Sequence, residues 1–182
     1  DAACASRGIG YLRAPVSGST VLAENGALTI LCSGPKEHFA TVEPLFNLMG
    51  GKVFHVGEGE QARSLKIMLN MMIGISGAIV GEALVFGEAG GMKWQQMLDV
   101  IKASVLCSPL VGYKLEPLSK RDFKAAFAVD MMAKDFDLAL DAAHKANIPL
   151  PLTSQVRQFW SMMHAKGKGQ EDFFSYVTLL ED

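Results

Sequence analysis

The sequence predicts a mainly helical fold: a short α/β stretch, then one long helix, then a domain built of helices alone. Three observations predict it. Up to about residue 57, short apolar runs alternate with turn residues and one helical pattern. From Gly59 onward, apolar residues recur at spacings of three and four, the period of a helix. Between Ile67 and Gly81 there is no formal charge; a helix apolar on every side is expected to be central or buried between subunits. The boundary is expected after Gly57, giving regions 1–57 and 58–182.

The elements follow in order. The opening DAACASRGIGYL reads as the end of a helix running straight into a strand, so the sequence is expected to continue a longer chain. IGYLRAPVS reads as a strand ended by Pro15, and ENG as a turn. In ALTILCSG, Leu28, Ile30 and Cys32 fall at period two, the mark of a half-buried strand. In GPKEHFATVEPLFNLMG, Phe39, Val42, Phe46 and Met49 lie at helical spacing, and Gly50-Gly51 closes the helix. KVFHVG reads as another strand.

A long helix is expected over Gln61–Gly90. Its interior glycines Gly74, Gly77 and Gly81, with Ala78, each cost about 1 kcal/mol against alanine, and close approach of another helix is the expected compensation. A helix over Lys93–Ala103 comes next. SPLVGYKLEPLSKRDF reads as less regular. Helices are then expected over Val129–Asn147, stopped by IPLP; over TSQVRQFWSMMHAKG, capped by Thr153 or Ser154; and over Glu171–Leu180.

Composition narrows the function. The 182 residues are 49% hydrophobic with a formal charge of −2, which fits a globular core and gives no basic field to gather phosphates. Nucleic acid is therefore not an expected partner. The Ile67–Gly81 run is shorter than the about 20 apolar residues of a membrane span, so no membrane is expected either. Cys4, Cys32 and Cys107 form neither a disulfide framework nor a zinc spacing, which leads to an expectation of a reducing cytoplasm. His38, His55, His144 and His164 show no ligand spacing, and no metal is expected. The methionines read as core filler.

A few positions can carry chemistry. Lys66 and Asn70 stand four apart and share a helix face. A partly desolvated lysine can shuttle a proton near neutrality, with the asparagine fixing a substrate oxygen; an ordinary helix start with a snorkelling lysine and a satisfied core amide fits the same spacing. In APVSGST, Ser17, Ser19 and the amides near Gly18 can hold a carboxylate; a plain turn fits too. Asp130 and Lys134 are placed for an i, i+4 ion pair, with Asp135 about 100° round the helix. No GxGxxG is present, and GEGEQARS is a distant echo of that fingerprint.

Taken in order, APVSGS, NGALTILCSG, VFHVGEGEQARSLKIMLN and FAVDMMAKDFDLAL resemble the β-hydroxyacid dehydrogenase family, which includes 3-hydroxyisobutyrate dehydrogenase, tartronate semialdehyde reductase and the glyoxylate/succinic semialdehyde reductases. The resemblance spans essentially the whole chain. It implies that residues 1–57 are the last strands and helix of a Rossmann-type domain binding NAD or NADP. It implies that 58–182 is an all-α substrate and dimerisation domain like the C-terminal one of 6-phosphogluconate dehydrogenase. The family's catalytic lysine matches Lys66 and its helper asparagine Asn70. Its substrate-binding motif matches Ser17 and Gly18, with Ser19 beside them. The lysine of its KD motif, at the nicotinamide end of the cofactor, matches Lys134, with Asp135 in the substrate-binding set. Phe127 matches an aromatic that lines the pocket in some members. Leu69 stands where many members have an asparagine.

The resemblance implies hydride transfer between nicotinamide and a short β-hydroxyacid or semialdehyde, in a homodimer or tetramer. These residues alone are expected to be inactive. Some members lack the lysine and serve as oligomerising or chromatin-associated modules, so the alternative is a catalytically incompetent interaction module.

Overall fold

The computed structural model describes residues 1–181, apart from the side chains of Thr20 and Val21. The chain forms two compact units, Asp1–Leu69 and Asn70–Asp182, and each is treated by itself.

The first unit carries a three-stranded sheet. A short helix, α1 (Ala2–Ala5), is followed by irregular chain, and the first sheet contact is a bridge between Arg13 and Ser33. The expected strand through Tyr11 and Leu12 is not formed; β1 is only Val16–Ser17, beyond Pro15 rather than before it. Proline has no N–H to give a ladder, but the Pro15 carbonyl still accepts from Leu31 N at 3.0 Å. After α2 (Thr20–Glu24), a turn with Gly26 at φ +61° leads into β2 (Leu28–Cys32).

β2 pairs antiparallel with β1, Val16 opposite Ile30 and Ser17 opposite Thr29. It pairs parallel with β3 (Gly50–His55), ending at Cys32 opposite His55. The parallel pair is joined by α3 (Lys36–Met49), as a parallel connection requires a crossover. Ile30, Leu31 and Cys32 are all buried, so β2 is not half-buried. A strand with a parallel neighbour and a covering helix is buried on both faces, and alternation no longer marks its exposure.

Ser33 ties this sheet to the start of α4 (Gln61–Ala89). Its hydroxyl donates to Gly59 O at 2.7 Å and accepts from Ala62 N at 3.2 Å. Arg13 holds Glu60, which also pairs with Arg63 at 3.0 Å. The first turn of α4 is thus fixed before Lys66 is reached.

The second unit is helical. By length and composition α4 can cross a membrane, a wider apolar span than Ile67–Gly81 by itself indicates. Its glycines show what covers it. A Cβ on Gly74 would lie 2.5 Å from Phe136 Cε2, one on Gly77 2.7 Å from Phe173 Cε2, and one on Gly81 2.9 Å from Tyr176 Cδ1. The close approach expected of another helix is met at Gly74, by Phe136 and Met132 of the helix Val129–Lys145, while the Phe173 ring stands on Gly77 and the Tyr176 ring with the Val177 amide on Gly81. Met68, Met72, Ile79 and Phe86 remain exposed elsewhere on α4.

α5 (Trp94–Ala103) is followed by α6 (Pro109–Lys120) in the stretch expected to be irregular. It holds two prolines, and Pro109 sits in the first turn, where no N–H is needed. Ser108 caps it, accepting from Val111 N at 3.2 Å. α7 (Val129–Lys145) and α8 (Pro151–Ala165) pack along each other. Pro151 opens α8 ahead of the expected caps, and Ser154 Oγ instead donates back to Leu150 O at 2.9 Å. The end of the unit is a 3-10 turn, Phe173–Tyr176, running into α9 (Val177–Leu180), not one helix. Trp160 anchors the core, edge-on to Phe136, Phe173 and Tyr176 at 6.1, 6.3 and 5.9 Å. Met97, Met132 and Met163 join that core, whereas Met68, Met72, Met131 and Met162 are exposed.

Candidate active site

Lys66 lies partly buried on α4, and Asn70, one turn on, is 5% exposed. A buried amide needs partners. Asn70 Nδ2 donates to Asp135 Oδ2 on α7 at 2.5 Å. Only the NH2 end of an amide can face a carboxylate, so this contact fixes which way Asn70 points. The amide has a second N–H and an oxygen besides this contact.

Asp135 is itself only 9% exposed, and a buried carboxylate is costly unless paired and hydrogen-bonded. Its second oxygen lies 3.0 Å from Lys134 Nζ, on a side chain 55% exposed. Lys134 thus keeps its ammonium at the surface while neutralising a buried acid. The expected Asp130–Lys134 pair is not formed. Asp130 instead holds His164 Nδ1 at 2.7 Å and Gln170 Nε2 at 2.9 Å.

Phe127 is half-buried ahead of α7. Its ring stands edge-on to Phe173 at 6.4 Å, and its amide donates to Asp172 at 3.2 Å. Sequence reading missed this carboxylate and its partner Lys114, because nothing in either local pattern marks a link across 58 positions.

In the first unit, Ser17 ends β1 opposite Thr29. Gly18 follows at φ +144° and is exposed. A side chain there would be strained and would lie 2.8 Å from Leu28 Cδ2. Ser19 is half-buried, and its hydroxyl accepts from Leu22 N at 3.4 Å at the start of α2. Among the described residues no group of acidic, histidine and cysteine side chains is placed to hold a metal.

Of the candidate residues, Asn70, Lys134 and Asp135 are therefore brought into one hydrogen-bonded group, with Lys66 a turn away along the same helix. Ser17, Gly18 and Ser19 form a separate turn in the first unit, to which Lys66 also belongs.

Comparison with known proteins adds to this geometry. Residues 59–180 match a family model described as the NAD-binding part of NADP-dependent 3-hydroxyisobutyrate dehydrogenase. Residues 1–57 match the NAD binding domain of 6-phosphogluconate dehydrogenase. The 2-(hydroxymethyl)glutarate dehydrogenase of Eubacterium barkeri is 35% identical over 97% of this chain and 59% of its own length. A crystal structure of 3-hydroxyisobutyrate dehydrogenase from Salmonella typhimurium is similar at a TM-score of 0.91 and 26% identity, over 98% of this chain and 63% of that one. The Mycobacterium tuberculosis 3-hydroxyisobutyrate dehydrogenase with L-serine is similar at a TM-score of 0.87 and 26% identity, over 100% of this chain and 64% of that one. The chain thus spans less than two thirds of the length of these relatives.

Proposed function

The chain belongs to the β-hydroxyacid dehydrogenase family, and from that premise we propose that it serves an NAD(P)-dependent oxidoreductase acting on a short β-hydroxyacid or semialdehyde. Residues 1–57 are read as the closing strands and helix of the NAD(P)-binding domain. Residues 58–182 are read as an all-α substrate and dimerisation domain of the 6-phosphogluconate dehydrogenase C-terminal type. One observation carries the catalytic reading: a buried carboxylate orients the Asn70 amide one helical turn from Lys66.

In this reading Lys66 is the general acid/base. It takes the hydroxyl proton as the carbon–oxygen double bond forms and returns it in the reverse direction, so charge does not build up on the substrate oxygen. Asn70, with Nδ2 already engaged by Asp135, offers its remaining N–H to that oxygen or to its neighbour. Ser17 and the Gly18 backbone grip the substrate carboxylate, with Ser19 holding the turn. The φ of Gly18 supports this, because a turn closed to side chains brings backbone amides up to a ligand. Phe127 lines the pocket.

Lys134 fits the nicotinamide end of NAD or NADP: its stem is exposed and its ammonium is positioned by Asp135. The cofactor, when bound, supplies or takes the hydride. Without a glycine-rich strand–helix turn to cradle a pyrophosphate, these 182 residues alone are read as inactive.

The unpaired cysteines Cys4, Cys32 and Cys107 support a reducing cytoplasm as its setting. The exposed Met68, Met72, Ile79 and Phe86 on α4 support a homodimer or tetramer through the helical domain. The glycine face does not, being filled from within the chain. Light scattering at micromolar concentration should show a mass above the monomer, and a monodisperse monomer would refute the oligomer.

The catalytic reading is tested in the whole protein by Lys66→Met, which keeps length and apolar packing but removes the exchangeable proton. Positioned acid/base groups contribute about 10²–10⁴-fold in rate, so kcat should fall by that order with cofactor affinity nearly unchanged. A Lys66→Met enzyme within about threefold of the parent's kcat would fall far short of that contribution and end the assignment of Lys66, whereas a parent without turnover would leave the catalytically incompetent interaction module as the reading.

A further inference from the structure

The helical unit buries an ion pair that the reaction does not use. Lys114 on α6 and Asp172, just ahead of the 3-10 turn, are 3% and 4% exposed, with Nζ 2.5 Å from Oδ2. Burying two charges costs several kcal/mol per ion even after relaxation, and apolar replacements are often as stable. Stability alone is a poor reason for such a pair.

The Asp172 carboxylate has other partners. Oδ2 also accepts from the amides of Ala126 at 3.0 Å and Phe127 at 3.2 Å, and Oδ1 from the amide of Phe174 at 3.1 Å. Backbone bonds lace the same residues: Asp172 N to Phe123 O at 2.9 Å, and Phe173 N to Phe127 O at 3.1 Å. Lys114 Nζ also stands 5.2 Å from the Phe173 ring centre and 5.5 Å from that of Phe174. A carboxylate accepts several amides at once and more strongly than a neutral oxygen. The lysine balances its charge where water cannot.

We propose that Lys114 and Asp172 form a specificity-determining clamp: Asp172 pins the Ala126–Phe127 backbone, and so fixes how far the Phe127 ring reaches toward the substrate chain beyond its carboxylate. Both are positioning residues acting through Phe127. The proposal rests on the reading of Phe127 as a wall of the substrate pocket. It adds to that reading the device that sets the wall's depth.

The test compares kcat/KM for a three-carbon β-hydroxyacid and its branched four-carbon homologue in the whole protein. The ratio of the two values cancels the amount of folded enzyme, so a merely structural role does not move it. A pocket wall separates substrates differing by one methylene by about 10–200-fold. The Lys114→Met/Asp172→Asn double variant, which leaves neither charge unpaired, should shift the ratio by about tenfold, in the direction given by Phe127→Ala and mainly through KM. A ratio within about twofold of the parent's, well inside what one methylene is worth, while Phe127→Ala moves it, refutes the clamp and leaves the pocket wall standing. If Phe127→Ala itself leaves the ratio unmoved, Phe127 is no wall, and the reading beneath the clamp fails with it. Should the double variant not fold, amide hydrogen exchange on the unaltered protein decides: the Ala126 and Phe127 amides should exchange as slowly as the Phe174 amide, and exchange at open-loop rates overturns the clamp.

Discussion

The two units reach their candidate chemistry by different means. In Asp1–Leu69 the candidate turn is made of backbone: Gly18 sits at φ +144°, and Ser19 serves the start of α2. In Asn70–Asp182 it is made of side chains held across helices: Asn70 by Asp135, and the Phe127 segment by Asp172. A backbone site is written in a few consecutive residues. A side-chain site is written in positions 65 apart. The first tolerates change in its surroundings and little within itself. The second depends on the packing that brings its helices together, and α4 is locked into that packing by rings standing on its glycines.

The largest break in this contrast should come from Asp135→Ala. It removes the acceptor that orients Asn70 and the counter-charge of Lys134. A hydrogen bond to a charged group is worth about 1.5–3 kcal/mol, so kcat should fall by about 10- to 100-fold. Asp135→Asn keeps an acceptor oxygen for Asn70 but not the charge, and should recover a large part of the loss if orientation is the role. Steady-state kinetics on the two variants, made in the whole protein, reads this out. Equal losses in both would assign the role to charge on Lys134, and turnover within about threefold of the parent's, too little for a lost charged hydrogen bond, would show that Asn70 needs no orienting partner.

Local signals carried much of the fold. The Gly26 turn, the helix Lys36–Met49 and the start of α4 at Gln61 lie where turn residues and apolar period put them. The misses have physical causes. α6 lies in the stretch that read as less regular; it holds two prolines, and one of them, Pro109, stands in the first turn, where proline is preorganised. β2 was read as half-buried because its apolar residues alternate, but a parallel partner and a covering helix bury both its faces. The glycines of α4 pointed to the close approach of another helix, which α7 supplies at Gly74 through Phe136 and Met132, but not to the Phe173 and Tyr176 rings on Gly77 and Gly81. In the site, the i, i+4 rule put Lys134 with Asp130, whereas Asp135 buries its carboxylate against Asn70 and takes Lys134 as well. The Lys114–Asp172 pair had no local signal at all.

A smaller effect sharpens the comparison further, because the same substitution can be made in both units. Gly74→Ala puts a methyl 2.5 Å from Phe136 Cε2 and 2.8 Å from Met132 Sδ. Phe136 and Met132 are both fully buried, so neither can yield cheaply. Overpacking of this kind costs about 1–3 kcal/mol, against about 1 kcal/mol returned by alanine's better helix propensity. The balance is a net loss of about 1 kcal/mol, a fall in Tm of about 2–4 °C for a chain of this size, with KM unchanged. Gly18→Ala meets only leucine tips, Leu28 Cδ2 at 2.8 Å and Leu22 Cδ1 at 3.2 Å, but forces an L residue toward a φ it rarely adopts. A turn after a two-residue strand relieves that strain by shifting its amides, so the effect belongs in substrate binding. KM for the carboxylate substrate should rise by about threefold to tenfold, equivalent to about 1 kcal/mol, with kcat retained and a smaller change in Tm than Gly74→Ala gives. The reverse pattern, a lowered Tm and an unchanged KM for Gly18→Ala, would make that turn a structural corner and leave the helical unit as the sole holder of the substrate.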